Sequence, residues 1–237
     1  MKLLVSVRSE REARLAAAGG ADFIDLKEPR DGALGGLPID TISAIVRTLR
    51  ADGTPLPIMR ISATIGDLGM GEIRRIAAAV RAVAACGVDY VKVGIEAAPG
   101  AAEVLAMLAR CEAALVPVFI ADRGIDAALL RQACATAAFP AVMADTADKR
   151  AGSLFDACPE TDLRRFVAEV RLSGKLVGLA GALRRADLPR LHALAPDFAG
   201  FRSAVCEGDR AGALSAERLR ALAGAVHASR PVAVPLS

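Results

Sequence analysis

Residues 3–27, LLVSVRSEREARLAAAGGADFIDLK, contain the smallest unit from which the fold can be read. A β-rich apolar run (LLVSV, 3–7) leads into SEREARLAAAGG (9–20), whose apolar residues fall at helical spacing and which ends in glycine. Glycine after small residues is how a helix stops. A second β-rich run, FIDLK (23–27), follows. The same unit recurs along the chain. Further strand-like runs are PIMRISATIG (57–66), YVKVGI (90–95), LVPVFIAD (115–122), AVMADTA (141–147), LVGLAGAL (176–183) and FAGFRSAV (198–205). Helical stretches rich in Ala, Leu and Arg lie between them, such as GEIRRIAAAVRAVAACG and ETDLRRFVAEVRLSG. The piece at 184–197 is the weakest, with Asp187 as a candidate N-cap ahead of a short helix. Alternation of this kind implies right-handed βαβ units and a parallel sheet. Eight units in 237 residues predict a single-domain (β/α)8 TIM barrel over 1–237. An open doubly wound sheet competes, but no GxGxxG follows the first strand and there is no Walker loop.

The composition narrows the function. Hydrophobic residues make up 54% of the chain, with no Trp and one Tyr, so the core must be built mainly from Ala, Leu, Val and Ile. The net charge of +3 is scattered, without a basic run. That argues against nucleic acid and fits a small anionic substrate. Five cysteines stand far apart without a CxxC pair and read as reduced, packed thiols. MKLLVSVRSERE turns charged too early for a signal peptide, and no apolar run approaches the roughly 20 residues needed to cross a bilayer. A cytoplasmic protein without a membrane partner is expected. There is no HExxH, Cys/His cluster or carboxylate triad, so neither metal nor cofactor is expected. His192 and His227 fall on helices, remote from strand ends. Cys206 follows the eighth strand with no histidine to activate it and reads as packed.

In a (β/α)8 barrel, chemistry sits at the C-terminal strand ends and the loops that follow. Polar residues interrupting those ends are therefore the candidates. They are Asp25 and Lys27 on strand 2, Ser62 and Thr64 (then Asp67) on strand 3, and Lys92 on strand 4. Strand 5 adds Asp122, strand 6 Asp145 with Lys149 beyond it, strand 7 Gly181, and strand 8 Arg202 and Ser203. Only five of the 30 basic residues are lysine, and three of those five (Lys27, Lys92, Lys149) lie at this rim. A lysine can lose its proton when desolvated or crowded by cations, and then act as nucleophile or base; arginine cannot. Asp25 and Lys27 are i and i+2 on one strand and point the same way, so the carboxylate is expected beside the amine. Lys92 suits a general acid/base, with Asp145 as its carboxylate partner across the lumen. Lys149 reads equally as a phosphate anchor. Phosphate is commonly bound after strands 7 and 8 of such barrels. There LAGAL (179–183) offers Gly181 for close backbone approach, and GFRSAVCEGDRAG (200–212) offers Arg202 and Ser203.

These strings, taken together, resemble the (5-formylfuran-3-yl)methyl phosphate synthase family of methanofuran biosynthesis. The resemblance runs nearly end to end, through GGADFIDLKEPRDGALGG, SATIGD (62–67), GVDYVKVG (87–94), MADTADKRAGSLFD (143–156), LAGAL and GFRSAVCEGDR (200–210). It implies a lyase that joins two glyceraldehyde 3-phosphate molecules, with loss of one phosphate and of water. It also implies that Lys27, in DLKEP, forms a Schiff base and that Lys92, in VKVG, accepts a proton. Asp25, Asp145 and Lys149 match further polar positions of the pocket. Strand 5 departs from the family pattern, which leaves Asp122 without such support. The partners implied are a small phosphorylated aldehyde and further copies of the chain in a homo-oligomer. Two rival classes share the candidates: another Schiff-base aldolase or isomerase acting on a triose phosphate, and a non-catalytic sugar-phosphate-binding barrel.

Overall fold

The computed structural model describes residues 1–32, 34–51 and 59–228. Its eight parallel strands close into a barrel in chain order, the eighth pairing with the first. They are β1 (Lys2–Val7), β2 (Phe23–Leu26), β3 (Arg60–Thr64), β4 (Tyr90–Ile95), β5 (Leu115–Ile120), β6 (Ala141–Asp145), β7 (Leu176–Leu179) and β8 (Phe198–Phe201). All eight expected runs form strands, several of them trimmed at the C-terminal end. FIDLK leaves the ladder at Leu26 and FAGFRSAV at Phe201. The first two residues of PIMRISATIG lie outside the described residues.

Helices α1 (Glu10–Ala18), α2 (Ile39–Arg50), α3 (Ile73–Ala85), α4 (Ala101–Leu108) and α5 (Ala127–Ala135) cover the first part of the barrel. Beyond β6 come α6 (Leu154–Ala157), α7 (Glu160–Leu172), α8 (Leu188–Leu194) and α9 (Ala216–Ala228). Their apolar residues recur at three- and four-residue spacing, so one face of each helix is buried against the sheet. On α7 that face is Leu163, Phe166, Val167 and Val170, with Phe166 edge-on to Phe119 of β5. Side-chain caps fix two starts: Ser9 Oγ accepts from Glu12 N–H, and one Asp126 oxygen accepts from Ala128 and Leu129 N–H. Asp187 stands at the start of α8 but does not cap it. Its carboxylate accepts Arg184 N–H at 2.8 Å, closing a 3-10 turn over Arg185–Asp187 instead.

The amino ends of the strands are closed by a repeated clamp. Asp22, Asp89 and Asp197 stand just before an aromatic residue that opens β2, β4 and β8. Each accepts a backbone N–H from a neighbouring strand: Leu3 at 2.8 Å, Ile61 at 2.7 Å and Val177 at 2.7 Å. Inside, Leu4, Val116, Val118, Ala141, Met143 and Phe198 pack the lumen. Phe23 meets Phe198 edge-to-face and Lys2 lies over the Phe23 ring. A small cavity remains at this end, lined mainly by apolar and aromatic side chains such as Phe23, Tyr90, Val116 and Phe198, whereas the charged candidates face the opposite mouth. Gly178 is part of this packing, because a Cβ there would stand 2.3 Å from the Phe198 ring. Gly178→Val is therefore expected to cost about 1–3 kcal/mol by overpacking. Urea unfolding checks this, and an unchanged midpoint would refute it.

Candidate active site

The carboxyl ends of the strands carry a buried cluster of opposite charges. Asp25 is 2% exposed at the C-terminal half of β2, at a position where an unpaired carboxylate would be prohibitively desolvated. It is fully partnered. Ser6 Oγ of β1 donates to Oδ2 at 3.1 Å, Ser62 Oγ of β3 to Oδ1 at 2.7 Å, and Lys92 Nζ of β4 lies 2.8 Å from Oδ1. Ser6 and Ser62 are the register partners of Asp25 on its two flanking strands, so the ladder itself delivers the hydroxyls. Burial works to raise the Asp25 carboxyl, but the Lys92 and Lys27 charges and these hydrogen bonds hold it below the ordinary carboxylate range.

Asp145, the last residue of β6, carries the other two lysines. Lys27 Nζ lies 3.3 Å from Oδ2, and Lys149 Nζ bonds Oδ1 and faces Thr146 Oγ1 at 3.4 Å. Burial again opposes the charge on Asp145, and the two ammonium groups outweigh it, so its carboxyl is held far below the ordinary range. Burial lowers the Lys149 ammonium to about 8, with Asp145 working against the fall and Lys27 adding to it. The pairing differs from the one expected along β2. Asp25 holds Lys92 and Asp145 holds Lys27, because a long side chain at i+2 reaches over the lumen more readily than back along its own strand. The remaining lysines serve elsewhere: Lys2 on Phe23, and Lys175 on the carbonyls of Thr136 and Phe139.

Above the cluster opens a cavity of about 540 Å³, counting its mouth. Asp25, Lys27, Lys92, Asp145 and Lys149 line it, with Gly181, Ala182 and Ser203 on the side of β7 and β8. Gly181 has φ +119, and a Cβ there would meet Thr146 at 2.9 Å, so both backbone and space require glycine. The loop after β2 closes the opposite side. Leu34 N–H donates to Asp67 at 3.1 Å, Thr64 Oγ1 donates to the Gly35 carbonyl at 2.9 Å, and the Leu34 side chain drops into the lumen over Gly94. Gly94 thus leaves room for Leu34.

Three expected ligand contacts are made to the protein instead. Ser62 holds Asp25, and Thr64 holds the β2 loop. Arg202, although at the cavity wall, has all five N–H groups committed. They go to both oxygens of Glu12 on α1 (2.5 and 3.1 Å) and to the carbonyls of Ser6, Arg210 and Gly212. Asp122 likewise accepts from Ala147 and Asp148 N–H, shaping the β6 loop. Sequence reasoning passed over Ser6, Glu12 and Arg210. Ser6 showed the same signal as Asp25, a polar residue inside an apolar strand. Glu12 and Arg210 sit among other charges and carry no such mark. His227 pairs with Asp22 at the amino end of the barrel. Cys206 is buried and its thiol is pushed up by that burial. Among the described residues no group of three or more His, Cys, Asp or Glu could hold a metal, and no helix is long and apolar enough to cross a membrane.

Glu12 and Arg202 are both about nine-tenths buried, so removing one leaves the other as an uncompensated charge. Arg202→Met is expected to cost about 3–5 kcal/mol, and the double variant with Glu12→Gln to recover part of it. Denaturant unfolding of the set checks this; equal midpoints for wild type and Arg202→Met would refute it.

The fold is shared widely. Phosphoribosyl anthranilate isomerase from Thermus thermophilus superposes with a TM-score of 0.64 at 21% identity, covering 97% of this chain and all of that one. A 3-hexulose-6-phosphate synthase gives 0.55 at 22% identity, over 94% and 99%. Sequence relatives are closer. The chain is 39% identical over 230 residues (97% of this chain, 92% of the relative) to a Methylorubrum extorquens protein provisionally named a (5-formylfuran-3-yl)methyl phosphate synthase. It is 35% identical over 244 residues to the (5-formylfuran-3-yl)methyl phosphate synthase of Archaeoglobus fulgidus, covering 96% of this chain and 100% of that one. The Methanopyrus kandleri protein of that name is 35% identical over 240 residues, 95% and 98% of the two chains. The family profile of 4-HFC-P synthase matches residues 3–223. The chain belongs to the 4-HFC-P synthase family.

Proposed function

We propose that this protein is a (5-formylfuran-3-yl)methyl phosphate synthase that condenses two molecules of glyceraldehyde 3-phosphate through an imine on Lys27. The observation that carries the reading is the set of three buried lysines held at one barrel mouth by two carboxylates. A non-catalytic binding site has no need of buried lysines shared between buried acids, since exposed arginines bind phosphate at lower cost.

The steps follow from the groups. The Lys27 amine adds to one triose phosphate carbonyl and water leaves as the C=N bond forms. The imine draws electrons from the adjacent carbon, whose proton passes to Lys92, oriented by Asp25. The resulting enamine forms a carbon–carbon bond to the aldehyde of the second triose phosphate. One phosphate departs with the electron pair of its C–O bond, the ring closes through oxygen, and two hydroxyl groups leave as water as the ring becomes aromatic. Hydrolysis of the imine consumes the one water released when it formed and frees Lys27. In sum, two three-carbon phosphates yield one six-carbon furan aldehyde phosphate, one phosphate and two waters. The retained phosphate is received by the Gly181–Ala182 backbone and Ser203. Lys149, charged at neutral pH and bonded to Asp145, is the proton donor to a departing oxygen.

Pure protein incubated with glyceraldehyde 3-phosphate should form a furan aldehyde, read by its absorbance and mass. Borohydride should fix substrate carbon on Lys27, mapped by peptide mass. An adduct on a different lysine, or an acyclic product, would overturn the reading. Lys92→Met should lower kcat by about 10²–10⁴-fold while the Lys27 adduct still forms.

The pH profile tests Lys149 separately. Because its ammonium titrates near 8, kcat is expected to fall as pH rises through about 8. Lys149→Arg, which stays charged and cannot donate its proton, should lower kcat and remove that descending limb. A limb unchanged in this variant would exclude Lys149 as its source.

A further inference from the structure

The reading above requires the mouth to hold two phosphate groups at once, and the inner cavity provides one evident place, beside Gly181, Ala182 and Ser203. Its three lysines share two carboxylates and so carry only one net positive charge toward a ligand. Lys92 is matched to Asp25, while Lys27 and Lys149 share Asp145. Arg202 has no unused N–H.

A wider chamber, about 1530 Å³ with its open mouth, lies directly above and shares Pro29, Lys149, Ser203 and Arg210 with the inner cavity. Three arginines border it, each from a different loop: Arg30 after β2, Arg150 after β6 and Arg210 after β8. None forms an ion pair among the described residues, although Asp145, Asp67 and Glu28 act on Arg210 at longer range; one Arg210 N–H reaches the Gly32 carbonyl at 3.2 Å. The two acids in the wall are engaged by their own loops. Asp148 accepts from Arg150 N–H at 2.8 Å, and Asp209 from Ala211 and Gly212 N–H at 2.7 and 3.1 Å. Arginines that form no ion pair at a concave wall are a phosphate-binding arrangement.

We infer that Arg30, Arg150 and Arg210 form a second phosphate subsite, which receives the phosphorylated substrate that enters second and holds the phosphate that leaves. This deepens the proposed function and rests on it for the identity of the substrate, but not for the binding of phosphate. The β2 loop ties the two events together. Arg210 bonds the Gly32 carbonyl, and two residues later Leu34 fills the lumen beside the lysines. A phosphate that draws Arg210 toward itself competes with that loop contact.

Inorganic phosphate is the probe. Its affinity for the full chain, measured by calorimetry, should fall about tenfold or more in Arg150→Ala and Arg210→Ala, as loss of a charge-assisted contact implies. Arg123→Ala, across the mouth and paired with Glu96, should leave it unchanged. In turnover, the Arg150 and Arg210 variants should raise KM for the triose phosphate and lose sensitivity to inhibition by phosphate, yet still give the Lys27 borohydride adduct. Equal phosphate affinity in wild type and both variants overturns the subsite. If the wild type gives neither adduct nor furan, the proposed reaction fails, and the phosphate titrations still decide the subsite alone.

Discussion

Asp145 holds two ammonium groups, Lys27 and Lys149, in the barrel lumen above an apolar layer. One carboxylate shared by two lysines is an under-neutralised arrangement, and it sets the character of the mouth. The cation in excess cannot be relieved by the neighbouring carboxylate, because Asp25 is already bound to Lys92 and two hydroxyls. The site therefore stays cationic and short of acceptors. That favours an anionic ligand and makes proton movement between Lys27, Asp145 and Lys149 a matter of short distances.

The surrounding loops serve this cluster rather than merely connecting elements. Asp122 orders the backbone after β6 and so places Lys149. Asp67 and Thr64 hold the β2 loop so that Leu34 covers the lumen. The Glu12–Arg202 pair ties α1 to the loop after β8 and fixes the carbonyls of Arg210 and Gly212. Residues that look like ligand contacts in the sequence thus include several that work through the backbone of their neighbours. Their loss should alter geometry before it alters charge.

The barrel itself was legible because its signal is local. Alternating β-rich and helical periodicity survives in any window of the chain, and every strand and most helices were recoverable from it. The charged residues at the strand ends were legible for a related reason, since a carboxylate in a strand such as FIDLK contradicts its own pattern. Pairing between strands was not. Whether Asp25 meets Lys27 or Lys92 depends on side-chain reach across the lumen, which spacing along one strand does not encode. The direction of Arg202 was hidden because its partner, Glu12, lies on a helix 190 residues earlier and reads there as an ordinary surface acid. Short helix α6 and the 3-10 turns were missed because a single turn has no periodicity to detect.

The titration of Lys149 bears on why the cluster exists at all. Its folded-state value, about 8, lies below the 10.5 of the free side chain, so the unfolded chain binds more protons between those values. Stability therefore rises as pH climbs through that window, and the full penalty of the buried ammonium is present at neutral pH. Taken alone, the shift corresponds to a cost on the order of 3 kcal/mol. Asp145 works in the opposite sense, since its carboxyl is held far below the ordinary range; its contribution is present at neutral pH and lost on acidification. The two shifts oppose one another, and an apolar side chain at 149 would fill the same space without the lysine's own penalty. A lysine buried at such a cost is what the proton-donor role proposed for Lys149 would require.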